Sequence, residues 1–188
     1  LVRLSFSDGY PIRFGRPHIS KGGDMAALEA GTRAPDFSLS DIKGVKHTLT
    51  ELSRDGLLLT AFFKVSCGTC KFSAPYFEKF YQAYKERKGF QFWGVSQDTA
   101  EDTIAYLNEY NASFPNLLDE THWISADYGL TNVPTLFLID REGKILHSCV
   151  GFSRSDFNAM SETVARFLGE TPVVISPAGD GAPDLRPG

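Results

Sequence analysis

The chain has 188 residues, which suits one compact domain with additional ends better than two domains. Hydrophobic residues at 42% and charged residues at 22% describe a globular chain able to build a core, and fifteen phenylalanines make that core aromatic. A net charge of -4 gives no electrostatic reason to expect nucleic acid or an anionic membrane as partner, and no apolar run is long enough to span a bilayer. Three cysteines are too few, and odd in number, for a disulfide-stapled secreted scaffold. A cytoplasmic setting is the expectation. Export stays open, because the chain starts at Leu1 and a signal could precede it; Met25 is an alternative start.

Residues 1–24 show no sustained periodicity and read as an irregular extension. The folded unit is expected over 25–170. Its first segment, "GTRAPDFSLSDIKGVKHTLTEL", predicts a small hairpin and turn. "LLLTAFFKV" (57–65) is an almost continuous apolar run, as for a strand buried on both faces. Phe77, Phe80, Tyr81 and Tyr84 then recur at helical spacing, predicting a helix over about 68–87 with one aromatic face. "FQFWGVS" (90–96) is a second strand. Thr99 stands three residues before Asp102, a capping-box spacing, and opens a helix with Ile104, Leu107 and Tyr110 on one side. "PTLFLID" (134–140), the turn "REGK" and "KILHSCVGF" (144–152) read as a hairpin. A last helix begins after Ser153, with Phe157, Met160, Val164, Phe167 and Leu168 facing inward. Four prolines and three glycines in residues 171–188 predict an irregular tail. The order is a mixed α/β sheet with helices on both faces.

The reactive candidates are Cys67 and Cys70, in "FFKVSCGTCKFSAP". Cys67 lies where a buried strand ends and a helix begins. The free backbone N–H groups and dipole of a helix N-terminus favour an anion, and the thiolate is the reactive form of cysteine. Cys70 is within one turn on the same face, so the two sulfurs can form a dithiol that attacks a disulfide and resolves the mixed disulfide itself. Cys67 is then the nucleophile and Cys70 the resolving thiol. Gly68 leaves the first sulfur uncovered, and Thr69 offers a hydroxyl nearby. No metal or organic cofactor is required.

These segments resemble the thioredoxin-like superfamily, of the TlpA-like and AhpC/TSA (redoxin) type. "SCGTCKFSAP" is similar to the thioredoxin active-site helix, with Lys71 after the cysteines and Pro75 at the helix-kink position. "NVPTLFLIDREGKI" resembles the second signature, and "AGTRAPDFSLSDIKG" the N-terminal hairpin of the TlpA-like and AhpC/TSA groups. The resemblance covers about residues 29–168. It implies a thioredoxin fold, with a central mixed β-sheet, helices on both faces and an N-terminal β-hairpin extension. It also implies a cis peptide before Pro134, with Val133 offering backbone groups to an extended substrate. The implied partners are a disulfide-containing protein or small molecule and an upstream thiol reductant. Departures are Gly-Thr between the cysteines where thioredoxins carry Gly-Pro, Ala61 at the position of a buried acid, and Ser73 where many TlpA-like reductases have glutamate. The proton of Cys70 is then expected to travel through water or Lys64.

Other readings stay open on the sequence alone. A peroxiredoxin-like peroxidase would show Pro-x-x-x-Thr-x-x-Cys. Neither register matches, since Phe63 and Cys67 fill those positions before Cys70, and Thr60 and Lys64 before Cys67. A non-catalytic interaction module has no need of two thiols. A Cys₃His zinc site would recruit His147 and Cys149 to the pair. Cys149 is otherwise a small buried strand residue, and His18, His47 and His122 are solvated. Lys64 and Lys71 face solvent. The stretch from Trp93 to Asp98 ends a strand at the carboxyl edge of the sheet, either as a ligand-binding edge or as a simple loop and cap.

Overall fold

The computed structural model describes residues 27–188, so the expectations for residues 1–24, including His18, lie outside the described residues. The elements are β1 (Ser38–Asp41), β2 (Lys46–Thr48), α1 (Leu49–Ser53), β3 (Leu57–Phe63), α2 (Gly68–Tyr84), β4 (Phe90–Ser96) and α3 (Ala100–Glu109). They continue with β5 (Asn116–Leu118), α4 (Trp123–Asp127), β6 (Thr135–Ile139), β7 (Ile145–Val150), β8 (Phe152–Ser153), α5 (Arg154–Leu168) and β9 (Leu185–Arg186). Seven strands form one sheet in the order β2-β1-β5-β4-β3-β6-β7. β3, β4 and β5 run parallel, while β6, β7 and the β1–β2 hairpin are antiparallel to their neighbours. This is the thioredoxin-like mixed sheet with its N-terminal hairpin.

β3 shows why the sheet needs helices on both sides. All seven of its residues are buried, and alternate side chains enter two different cores. Leu57, Leu59, Ala61 and Phe63 join residues of α2, α3 and α5, including Phe77, Phe80, Tyr106, Phe157 and Met160. Leu58 and Phe62 join Leu49 and Leu52 of α1, together with Tyr128 and Phe137. Phe77 touches the rings of Phe92, Phe114 and Phe157, so the phenylalanine excess sits mainly in the α2 layer.

Two helix faces differ from expectation. In α3, Ile104 is exposed while Thr103, Tyr106 and Leu107 are buried. The inward face carries polar groups with partners: Thr103 donates to Ser96 Oγ at 2.7 Å, and Tyr106 donates to the Cys70 carbonyl at 2.8 Å. An apolar-only reading cannot find such a face. In α5, Phe157, Met160 and Val164 are buried, but Phe167 lies on the outer side near the C-cap and is exposed. α2 ends at Tyr84, three residues earlier than expected.

Residues 171–188 carry little regular structure, yet they pack. Ile175 is fully buried, and its N–H donates to Asn158 Oδ1 at 2.9 Å. β9 pairs with β8, apart from the main sheet. Among the described residues no helix is long and apolar enough to cross a membrane.

Candidate active site

The carboxyl end of β3 and the first turn of α2 bring the two cysteines together. Cys67 is the N-cap of α2, with extended backbone angles, and its sulfur accepts the N–H of Cys70 at 3.2 Å. A helix start leaves that N–H without an intrahelical partner, so here a sulfur replaces the usual capping oxygen. The Cys67 thiol in turn donates to the Val133 carbonyl at 3.2 Å. Val133 precedes Pro134 through a cis bond, as the resemblance implies, and places that carbonyl against the sulfur. The thiol therefore has an acceptor from the proline loop, and the thiolate would have a donor from the helix. One sulfur position serves both protonation states.

Cys70 differs sharply from its neighbour. It is fully buried, whereas Cys67 is half-exposed, and both are free thiols. Burial pushes the Cys70 thiol above its ordinary value, and the adjacent Cys67 thiol and the charge of Asp98 push in the same direction. Beneath it, Ala61 is fully buried and supplies no carboxylate. Ser73, one turn further along α2, is also fully buried, and its hydroxyl has no hydrogen-bond partner. No acid thus occupies either position at which related reductases carry one.

Two side chains beyond the motif complete the surroundings. Tyr106 stacks on Phe63 with ring centroids 5.0 Å apart, and its hydroxyl fixes the Cys70 carbonyl. Burial pushes that phenol up, and the Cys70 charge adds to it, so it stays a donor. Asp98, just past β4, accepts the Val65 N–H at 2.7 Å and ties the loop before Cys67 to the neighbouring strand. Asp98 belongs to the carboxyl-edge stretch singled out from the sequence. Tyr106 was missed, because its hydroxyl counts for nothing in an apolar pattern.

The other residues named from the sequence take varied positions. Thr69 does carry a hydroxyl at the site, but it donates to the Pro187 carbonyl at 2.6 Å. Gly68 is exposed, and a Cβ there would stand 3.8 Å from the Arg186 guanidinium. Pro134 is buried, and its carbonyl accepts the Gly151 N–H at 2.7 Å. Lys64 is half-buried and Lys71 exposed. His147 bonds Thr163 at 2.8 Å on edge strand β7, and Cys149 is buried. Among the described residues no three His, Cys, Asp or Glu side chains converge, so His147 and Cys149 do not join the pair as ligands. His47 is half-buried rather than simply solvated, 3.2 Å from Asp41 Oδ2 and against the Trp93 ring. His122 is exposed and meets the Gln97 carbonyl at 3.1 Å. A surface cavity beside Gly56, Leu57 and Gly89 lies at the amino end of β3, away from this chemistry.

Comparison with known proteins gives the family and the reaction class. The AhpC/TSA family model matches residues 30–148. The thiol-disulfide oxidoreductase ResA of Bacillus thuringiensis (strain Al Hakam) is 32% identical over 129 residues, covering 68% of this chain and 73% of the relative. The solved thioredoxin domain of a thiol-disulfide oxidoreductase of Bacteroides vulgatus has a TM-score of 0.64 and 28% identity, covering 76% of this chain and 99% of that one. A thiol:disulfide interchange protein of Bacteroides sp. has a TM-score of 0.63 and 28% identity, covering 82% of this chain and 95% of that one. With the matching fold and the paired thiols, the chain belongs to the AhpC/TSA family, among its thiol–disulfide oxidoreductases.

Proposed function

We propose that Cys67 attacks a substrate disulfide and that Cys70 resolves the resulting mixed disulfide. The Cys67 thiolate bonds to one substrate sulfur, and the other substrate sulfur departs and takes a proton. Cys70 then loses its proton, bonds to Cys67 Sγ and releases the second substrate thiol. Two electrons pass to the substrate, and the enzyme is left with a Cys67–Cys70 disulfide that an upstream thiol reduces again. The substrate is a protein or small-molecule disulfide lying against the Val133–Pro134 loop. The proton from Cys70 passes to water, because Ala61 and Ser73 stand where the resemblance leads one to expect carboxylates.

The unequal burial of the two sulfurs carries this assignment. A disulfide from outside meets half-exposed Cys67, while fully buried Cys70 attacks from within. The Cys70 N–H on Cys67 Sγ also supports the anion that attacks.

A trapping experiment tests the order. Cys70→Ser protein treated with insulin, a polypeptide disulfide, is expected to accumulate an adduct at Cys67, located by peptide mass spectrometry. An adduct on Cys149, or equal trapping by Cys67→Ser protein through Cys70, would reverse or remove the assignment.

A further inference from the structure

The segment after α5 returns to the two cysteines. Asn158 accepts the N–H groups of Ile175 and Ser176, holding the start of the return against α5. Arg154, the first residue of α5, then gathers residues 176–184. Its guanidinium donates to Ser176 Oγ, to the carboxylates of Asp180 and Asp184, and to the carbonyls of Pro177 and Ala182. Beyond this clamp, β9 pairs antiparallel with β8, Arg186 opposite Phe152 and Leu185 opposite Ser153.

The last four residues touch both sides of the reactive pair. The Arg186 guanidinium lies 4.9 Å over the Phe72 ring. The Pro187 carbonyl accepts the Thr69 hydroxyl, from the dipeptide between the cysteines. The Gly188 carbonyl accepts the Asn132 amide at 2.9 Å. A Cβ on Gly188 would stand 2.5 Å from the Val133 carbonyl oxygen, the same atom that accepts the Cys67 thiol. Gly151 needs its positive φ of 78°, and a Cβ there would meet the Arg186 carbonyl at 2.5 Å. Close backbone passage therefore requires glycine on both sides.

We propose that Leu185–Gly188 is an internal occupant of the substrate groove, which an extended polypeptide must displace to bring its disulfide to Cys67. The inference rests on the reading of Cys67 as the attacking thiol. The occupant shows the chemistry of the groove. One edge, β8, pairs with an extended backbone. Phe72 accepts a planar cationic side chain. Thr69 and Asn132 donate to carbonyls. An incoming polypeptide segment finds all four contacts once the strap leaves, and a small disulfide needs few of them.

The test compares reduced wild-type protein with Arg154→Ala and Asp184→Ala. The Asp184 side chain is 95% exposed, so its removal does not threaten the fold. Alkylation of Cys67 by a maleimide carried on polyethylene glycol is tracked by peptide mass spectrometry, beside turnover of insulin and of oxidised glutathione. A strap that is closed most of the time keeps its open fraction small, so releasing the clamp is expected to raise bulky alkylation and insulin turnover by about tenfold. Glutathione turnover changes less, and Asp184→Ala moves both rates in the same direction by a smaller factor. Unchanged alkylation in both variants would show that the segment does not cover Cys67. Faster alkylation with unchanged insulin turnover would show that it lies outside the substrate's path, which also overturns the proposal. Faster alkylation with no turnover by any of the proteins would uphold the cover and defeat the proposed function instead.

Discussion

Replacing Tyr106 by Phe separates two ways in which a residue can act on Cys70. The ring stays stacked on Phe63, and only the hydroxyl bond to the Cys70 carbonyl is lost. A buried neutral hydrogen bond contributes about 1 kcal/mol net. In a domain of this size that shifts the unfolding midpoint by about 2–4 °C. The acceptor is a backbone carbonyl and not a sulfur, so the bond should persist in dithiol and disulfide forms alike. Both forms are then expected to lose about 1 kcal/mol in urea unfolding. The reduction potential should move by less than about 10 mV, since a bond present in one form only would shift it by about 20 mV at 30 mV per 1.4 kcal/mol. A larger change in potential, with only one form destabilised, would mean that Tyr106 acts on the thiol itself and would refute the reasoning.

The same site yields two more expected outcomes. Ser73→Ala removes a fully buried hydroxyl that has no partner, so stability should hold or rise by up to about 1 kcal/mol; a loss of that size would reveal a partner for it. Burial pushes both Cys70 and Cys149 above the ordinary thiol value of 9.0, Asp156 adding to the rise at Cys149. A folded-state pKa raised above the unfolded one contributes stability that is complete below the unfolded value and is lost as pH rises beyond it. The reduced protein should therefore weaken steadily above about pH 9, and Cys149→Ala should make that loss shallower. Equal slopes in unfolding titrations of the two proteins would contradict it.

Most of the scaffold was legible because its signals are redundant. The run Leu57–Phe63 could only be a strand covered on both faces, and the aromatic spacing of α2 survives with Phe77, Phe80 and Tyr84 buried and Tyr81 half-buried. Short elements escaped. β5 and α4 have three and five residues, too few for a period to show. α1 is equally short, although its capping box between Thr48 and Glu51 left a Thr-x-x-Glu signal. In the site, the cysteine pair could be read because its spacing carries the chemistry, and Pro134 because its segment resembles the second family signature. Tyr106 and the return of Arg186–Gly188 could not, since both arise from contacts between segments distant in sequence. The tail illustrates the limit well. Its prolines and glycines correctly predict irregular backbone, but composition does not say that Arg154 will hold that backbone in place.

The central claim is that Cys67 and Cys70 form one two-electron couple while Cys149 stands apart. The most direct measurement is a redox titration in dithiothreitol buffers, with free thiols alkylated and each cysteine quantified by peptide mass spectrometry. Cys67 and Cys70 are expected to lose and regain their thiols together at a single midpoint, with Cys149 remaining reduced throughout. Independent titration of the two, or a disulfide that includes Cys149, would contradict the account.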